Sequence, residues 1–204
     1  MKKMFVILGA DNVGKTTMMN NSMLFVQETL NLSTDFVHFS APKVEDPYIL
    51  YQYNQKLQTR LTESVVKRET DYIYLDRAWP ESKFYELNRR GRHVSYEECF
   101  ECERAYLDFA KRWGYEISIN VMFKPWNFVE KFHRFELENN KEFVKQSAAL
   151  NNESVDIEER RLEHEKYYRF MIDYRDTREQ MVPDIANQMP WNTLHIRDLN
   201  FVLV

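Results

Sequence analysis

Gly9-Ala10-Asp11-Asn12-Val13-Gly14-Lys15-Thr16 is the stretch that decides how this chain is read. It fits G-x-x-x-x-G-K-[ST], a loop that turns its backbone N–H groups inward around a polyphosphate. Only four glycines occur in 204 residues, and two of them bracket this loop. Glycine permits the dihedrals and the close backbone approach that such a cradle needs. The flanks agree with the motif. A continuous apolar run, KMFVILG, precedes it, and KTTMMNNSMLFVQETL follows with helical spacing. A strand buried on both faces would deliver the loop, and the next helix would aim its N-terminal dipole at the anion. In that arrangement Lys15 reaches the β- and γ-phosphates of ATP and the Thr16 hydroxyl ligates Mg2+. Gly9, Asn12, Val13, Gly14 and Thr17 complete the cradle. One residue is out of character, since Asp11 places an acid inside an anion-binding loop.

Outward from the loop, strands alternate with helices. TDFVHFS, DYIYLD, YEISINVMF and WNTLHIRDL read as short strands. DPYILYQYNQKLQTRLTESVV reads as a helix with Asp46 as N-cap and Pro47 in its first position. ESKFYELNRR and SYEECFECERAYLDFAKRW read as two more, separated at Gly91, with the second stopping at Gly114. From Pro125 to about Arg178 the pattern is polar and helical, with a break near SAALNNES. This alternation predicts βαβ units: an α/β sandwich of three layers, with a five-stranded parallel sheet and helices on both faces. Residues 1–204 read as one domain, from which the charge-dense stretch 130–166 departs as a helical lid.

Composition narrows the function classes. With 44% hydrophobic residues the chain can build a core. A net charge of −4 argues against a nucleic-acid backbone as the main partner, and only the Arg89, Arg90, Arg92 cluster hints at one. No apolar run reaches the length of a membrane span. The two cysteines form no disulfide framework, which fits a reducing, cytoplasmic setting. Cys99-x-x-Cys102 has the spacing of a redox pair or half a zinc site. No second pair exists, and the segment is helical, so both read as ordinary helix residues. The five histidines show no metal spacing.

The loop alone names no reaction. YIYLDRAWPESKFYE adds the second element: a buried strand ending in Asp76-Arg77. In a doubly wound sheet the carboxyl ends of the strands line the ligand crevice. Asp76 there can orient Mg2+ or accept a proton, and Arg77 can hold a second phosphate; a strand-end salt bridge is the plain alternative. With these residues in view, the chain resembles the thymidylate kinase group of nucleoside monophosphate kinases, especially divergent viral members. GADNVGKTT is similar to that family's G-x-D-x-x-G-K-[ST]-T, and LDRAWPESKFYE to its D-R-Y-x-x-S-x-x-A-Y-Q. Ala78 replaces the usual Tyr, Ser82 lies one position late, and Glu86 stands where Gln or Thr often meets the base. The resemblance implies strand order 2-3-1-4-5 and ATP-dependent phosphorylation of a thymidylate-like deoxynucleoside monophosphate. It also implies a possible homodimer and, for a viral member, action in the host cytoplasm. Asp11 would contact the acceptor's sugar and Arg77 its phosphate. Arg90, with Arg89 and Arg92, would assist at that phosphate or form a small basic patch, and Tyr51 (or Tyr48 or Tyr53) and Tyr85 would stack on the base or belong to the core.

Phosphoryl transfer also needs positive charge on the migrating group. Some members carry an arginine beside the loop acid, where this chain has Asn12. The resemblance to the family's other subtype implies that the lid supplies it, from Arg134, Arg160 or Arg161, each of which reads equally as a solvated helix charge. Two other readings stay open. One is a kinase whose acceptor is a deoxynucleoside or a hydroxymethylated base in DNA. The other is a P-loop ATPase or switch, for which no D-x-x-G beyond the phosphate loop, no N-K-x-D and no sensor after the fourth strand, where the chain reads MFKPWNF, is present.

Overall fold

A computed structural model describes residues 2–38, 49–196 and 202–204, apart from the side chains of 49–57, 67 and 151. Its strands are β1 (Lys2–Leu8), β2 (Thr34–His38), β3 (Tyr72–Asp76), β4 (Tyr115–Phe123) and β5 (Trp191–His195). They form one sheet in the order β2-β3-β1-β4-β5, with every pairing parallel. This is the strand order expected from the sequence resemblance. Met4 to Leu8 of β1 and all of β3 are buried. Consecutive strand residues point to opposite faces, so helices cover both sides, and an uninterrupted apolar run is what such a strand needs.

The helices among the described residues are α1 (Lys15–Thr29), α2 (Ile49–Arg68), α3 (Trp79–Arg90), α4 (Tyr96–Trp113), α5 (Trp126–Asn139), α6 (Lys141–Asn151), α7 (Ile157–Met181) and α8 (Pro183–Gln188). Their ends follow local chemistry. Ser95 and Glu98 form a reciprocal capping box at α4. Gly91 and Gly114 end α3 and α4 at φ 64° and 74°, the left-handed caps expected of glycine. Asp156 caps α7 by accepting from the N–H groups of Glu158 and Glu159. The long helical stretch breaks twice, at Asn140 as well as at 152–156. The six-residue α8 escaped the sequence reading because one and a half turns carry too little periodicity. Helix α3 begins two residues early because Pro80 is tolerated in a first turn. The Asp46 and Pro47 start of α2 and Tyr48 lie outside the described residues.

Two long-range ties close the molecule. Arg178 of α7 and Glu103 of α4 form an ion pair with both side chains almost fully buried, and Arg178 also donates to the Met189 carbonyl at 2.8 Å. Near the carboxyl end, Leu203 donates its N–H to Ser22 of α1 at 2.8 Å and accepts from the Tyr74 hydroxyl at 2.9 Å. The register sets Ile7 beside both Asp76 and Asn120. The loop after β1 and the acid ending β3 therefore emerge side by side at the carboxyl edge of the sheet.

Candidate active site

The loop between β1 and α1 has the backbone its sequence demands. Gly14 sits at φ 97° and Asn12 at φ 62°, both left-handed. A Cβ on Gly9 would stand 2.9 Å from Val13 Cγ2 and 3.1 Å from the Met122 carbonyl oxygen, so β4 packs too closely for any side chain there. Lys15 Nζ folds back onto the loop and donates to the carbonyls of Gly9 (2.5 Å) and Ala10 (3.0 Å). Burial, with the nearby Arg77 charge, lowers the Lys15 pKa against the opposing pull of Glu81.

Beside the loop opens a cavity of about 570 Å³, lined by Asp11, Lys15, Thr16, Asp76, Arg77 and Arg160 among others. Asp76 is buried at its floor. Its Oδ2 accepts from His38 Nδ1 at 2.7 Å, whereas Oδ1 is buried without a hydrogen-bond partner. Burial opposes ionisation of Asp76. The His38 hydrogen bond and the charges of Lys15 and Arg77 outweigh it and lower the pKa. Asp76 and Thr16 line the same cavity, and a carboxylate with a hydroxyl is a donor set that Mg2+ takes, because this ion keeps waters and phosphate oxygens for its remaining positions. No cluster of three or more His, Cys, Asp or Glu suited to a metal occurs among the described residues.

The acid in the loop is explained by its partners. Asp11 accepts from Arg77 at one oxygen and Arg89 at the other, each at 2.8 Å. These guanidiniums hold its carboxyl well below the usual carboxylate range although burial acts the other way. Arg77 also approaches Glu81 at 3.5 Å. Arg89 further pairs with Glu153 (2.7 Å) and Glu163 (2.8 Å), and Arg160 with Glu153 (3.1 Å). Four carboxylates thus face four cations once Lys15 is included. Tyr85 lies within this cluster, with the Arg89 guanidinium 4.0 Å from its ring centroid and that of Arg77 5.6 Å away. Arg77 adopts φ 73°, a left-handed conformation costly for a side-chain-bearing residue, while its N–H donates to the Ile7 carbonyl.

The structure sorts the three arginines expected of a lid by position. Arg160, at the first turn of α7, lines the cavity that holds Lys15. Arg134 pairs with Glu130 on the outer side of α5, and Arg161 pairs with Glu158 and Glu165 along α7; neither lines that cavity. Arg90 pairs with Glu86 on its own helix and is likewise outside it. The side chain of Tyr51 lies outside the described residues. Asn12 donates from Nδ2 to His133 Nδ1 at 3.1 Å, which docks α5 over the loop tip. Burial and then the Arg160 charge lower the His133 pKa to about 4.

One residue was missed by sequence reasoning, and one was read without its partners. Glu81 is buried and accepts from the Gly9 N–H (2.9 Å) and the Tyr167 hydroxyl (2.6 Å), so it ties the phosphate loop to α3 and α7. Its only signal was an acid in the first turn after Pro80. Arg89 was read, with Arg90 and Arg92, as an aid to the acceptor's phosphate or part of a basic patch, and its central place in the cluster depends on three acids 64 to 78 positions distant in the chain.

No protein-family model and no curated protein matches the chain. Among solved structures, a protein of the PezAT chromosomal toxin–antitoxin system of Streptococcus pneumoniae aligns with a TM-score of 0.44 at 10% identity, over 95% of this chain and 68% of that one. Deoxyadenosine kinase from M. mycoides with bound dATP aligns with a TM-score of 0.38 at 15% identity, over 94% of this chain and 90% of that one. The same enzyme with bound dCTP gives 0.37 and 16%, over 94% and 89%.

Proposed function

We propose that the protein is an ATP-dependent kinase that passes the γ-phosphoryl group to a deoxynucleoside monophosphate, thymidylate-like in class. The observation that carries this reading is the meeting of Lys15, Thr16, Asp76, Arg77 and Arg160 in one cavity at the carboxyl edge of a parallel sheet. The loop amides and Lys15 would bind the triphosphate. Lys15 must first leave the Gly9 and Ala10 carbonyls. Thr16 and Asp76 would hold Mg2+, which when bound neutralises charge on the β- and γ-oxygens. Arg160, closing from α7, supplies the cation that Asn12 cannot. Arg77, released in part from Asp11, would take the acceptor's phosphate. Residues 130–166 act as the lid of a single domain.

One observation favours a second reading, in which the acceptor is a deoxynucleoside hydroxyl. Arg77 and Arg89 are already neutralised by Asp11, Glu81, Glu153 and Glu163, which leaves little net charge for a dianion. The unpartnered Asp76 oxygen could then accept the hydroxyl's proton. An ATP-consumption assay across deoxynucleoside monophosphates, deoxynucleosides and hydroxymethylated duplex DNA separates the readings. Turnover of a monophosphate supports the first and turnover of nucleosides alone the second. Turnover of DNA alone overturns both. Lys15→Ala should abolish activity with every acceptor. Arg160→Ala should lower kcat by about 10²- to 10³-fold, and Arg134→Ala and Arg161→Ala should leave it near wild type.

A further inference from the structure

The site cavity has a wall that the phosphate chemistry does not use. Phe128 and Phe132 stand one turn apart on α5, and Phe143 opens α6 beside them; all three line the cavity with Lys15. They are 48%, 46% and 70% exposed, although large apolar side chains facing water cost free energy without a partner. Tyr85, the aromatic expected to stack on a base, has a ring covered by Arg89. The space beside it, walled by Phe84, Tyr85 and Trp126, is about 20 Å³, room for a single water.

Building on the kinase reading, we infer that Phe128, Phe132 and Phe143 form the surface on which the base of a bound nucleotide stacks. Charge fixes which end of the nucleotide lies there. Lys15, Thr16, Lys124 and Arg160 line the cavity and attract the phosphates. Glu136 follows Phe128 and Phe132 on the same stripe of α5 and repels phosphate while offering an acceptor to the N–H groups of a base. Apolar rings with one carboxylate at their margin suit a neutral, planar, hydrogen-bonding group. The same rings stand on α5 and α6, within the proposed lid, so stacking would couple base binding to lid position.

The test compares ATP with inorganic tripolyphosphate, each with Mg2+, by titration calorimetry, alongside steady-state KM values for the acceptor. Wild type should bind ATP more tightly than tripolyphosphate. In Phe128→Ala, Phe132→Ala and Phe143→Ala a loss of roughly 5- to 100-fold should fall on base-bearing ligands alone. Phe132→Tyr should retain affinity, and Phe132→Leu, which keeps apolar bulk without a ring, should lose it. Loss confined to ATP assigns the wall to the donor base, and loss confined to the acceptor KM assigns it to the acceptor base. Both support the inference. Phe135→Ala, 57% exposed but outside the cavity, should match wild type. Ring variants that bind every ligand as wild type does would overturn the wall and leave the kinase reading standing. Failure of wild type to bind either polyphosphate would overturn both.

Discussion

Arg77 combines a functional side chain with an unfavourable backbone. Its φ of 73° costs about 1–2 kcal/mol in a residue with a Cβ. Arg77→Gly and Arg77→Ala remove the same guanidinium, but only glycine relieves the backbone. The glycine variant should unfold at higher denaturant than the alanine variant, by about 1 kcal/mol in chemical denaturation. Equal stabilities would place the strain elsewhere. Asp11 yields an outcome opposite to the usual one for a binding residue. Asp11→Asn leaves the arginine cluster one charge more positive, so inorganic phosphate should bind more tightly, by about tenfold at low salt. Calorimetry reading weaker binding would mean that Asp11 acts chiefly by holding the arginines in place. The loop's existence was legible because its residues are contiguous. The partnership of Asp11 with Arg89 was not, since Arg89, which also binds Glu153 and Glu163, meets it only after α3 and α7 pack together.

At the level of elements, α5 is held over the phosphate loop by a neutral imidazole. His133 titrates at about 4 in the folded protein against an ordinary 6.5, because burial and the Arg160 charge both disfavour its cation. The unfolded chain therefore binds the extra proton first. Stability present above pH 6.5 is lost as pH falls toward 4, by roughly 2–3 kcal/mol from this group. Denaturation midpoints measured across that window should fall less steeply in His133→Gln. An unchanged slope would show that His133 is solvated. The strands and most helix boundaries could be read from local signals: apolar runs for β1, β3 and β4, a capping box for α4, and glycine stops at 91 and 114. The turn at Asn140 had no such signal, because it interrupts a polar helical pattern without glycine or proline. The candidate arginines were also indistinguishable in sequence, since Arg160 and Arg161 are neighbours whose difference is which side of α7 each occupies.

Across the whole molecule, the segment after β4 is fastened to what precedes it at several points. Arg178→Ala strands the buried Glu103 carboxylate and should destabilise the protein by about 3–5 kcal/mol. Replacing both partners together, as Glu103→Leu with Arg178→Met, should recover most of that loss in thermal melts. A double variant no better than the single one would mean that the Met189 contact of Arg178 dominates. The same fastening has a consequence for chain continuity. Strand β5 pairs along β4, α7 grips α4 through Arg178, and Leu203 reaches back to Ser22. These bonds run in parallel with the peptide chain that passes through α5 and α6. A protease nick at Asn140 would cut only one of these connections, so the two pieces should stay together as a noncovalent complex, and separately expressed halves should find each other.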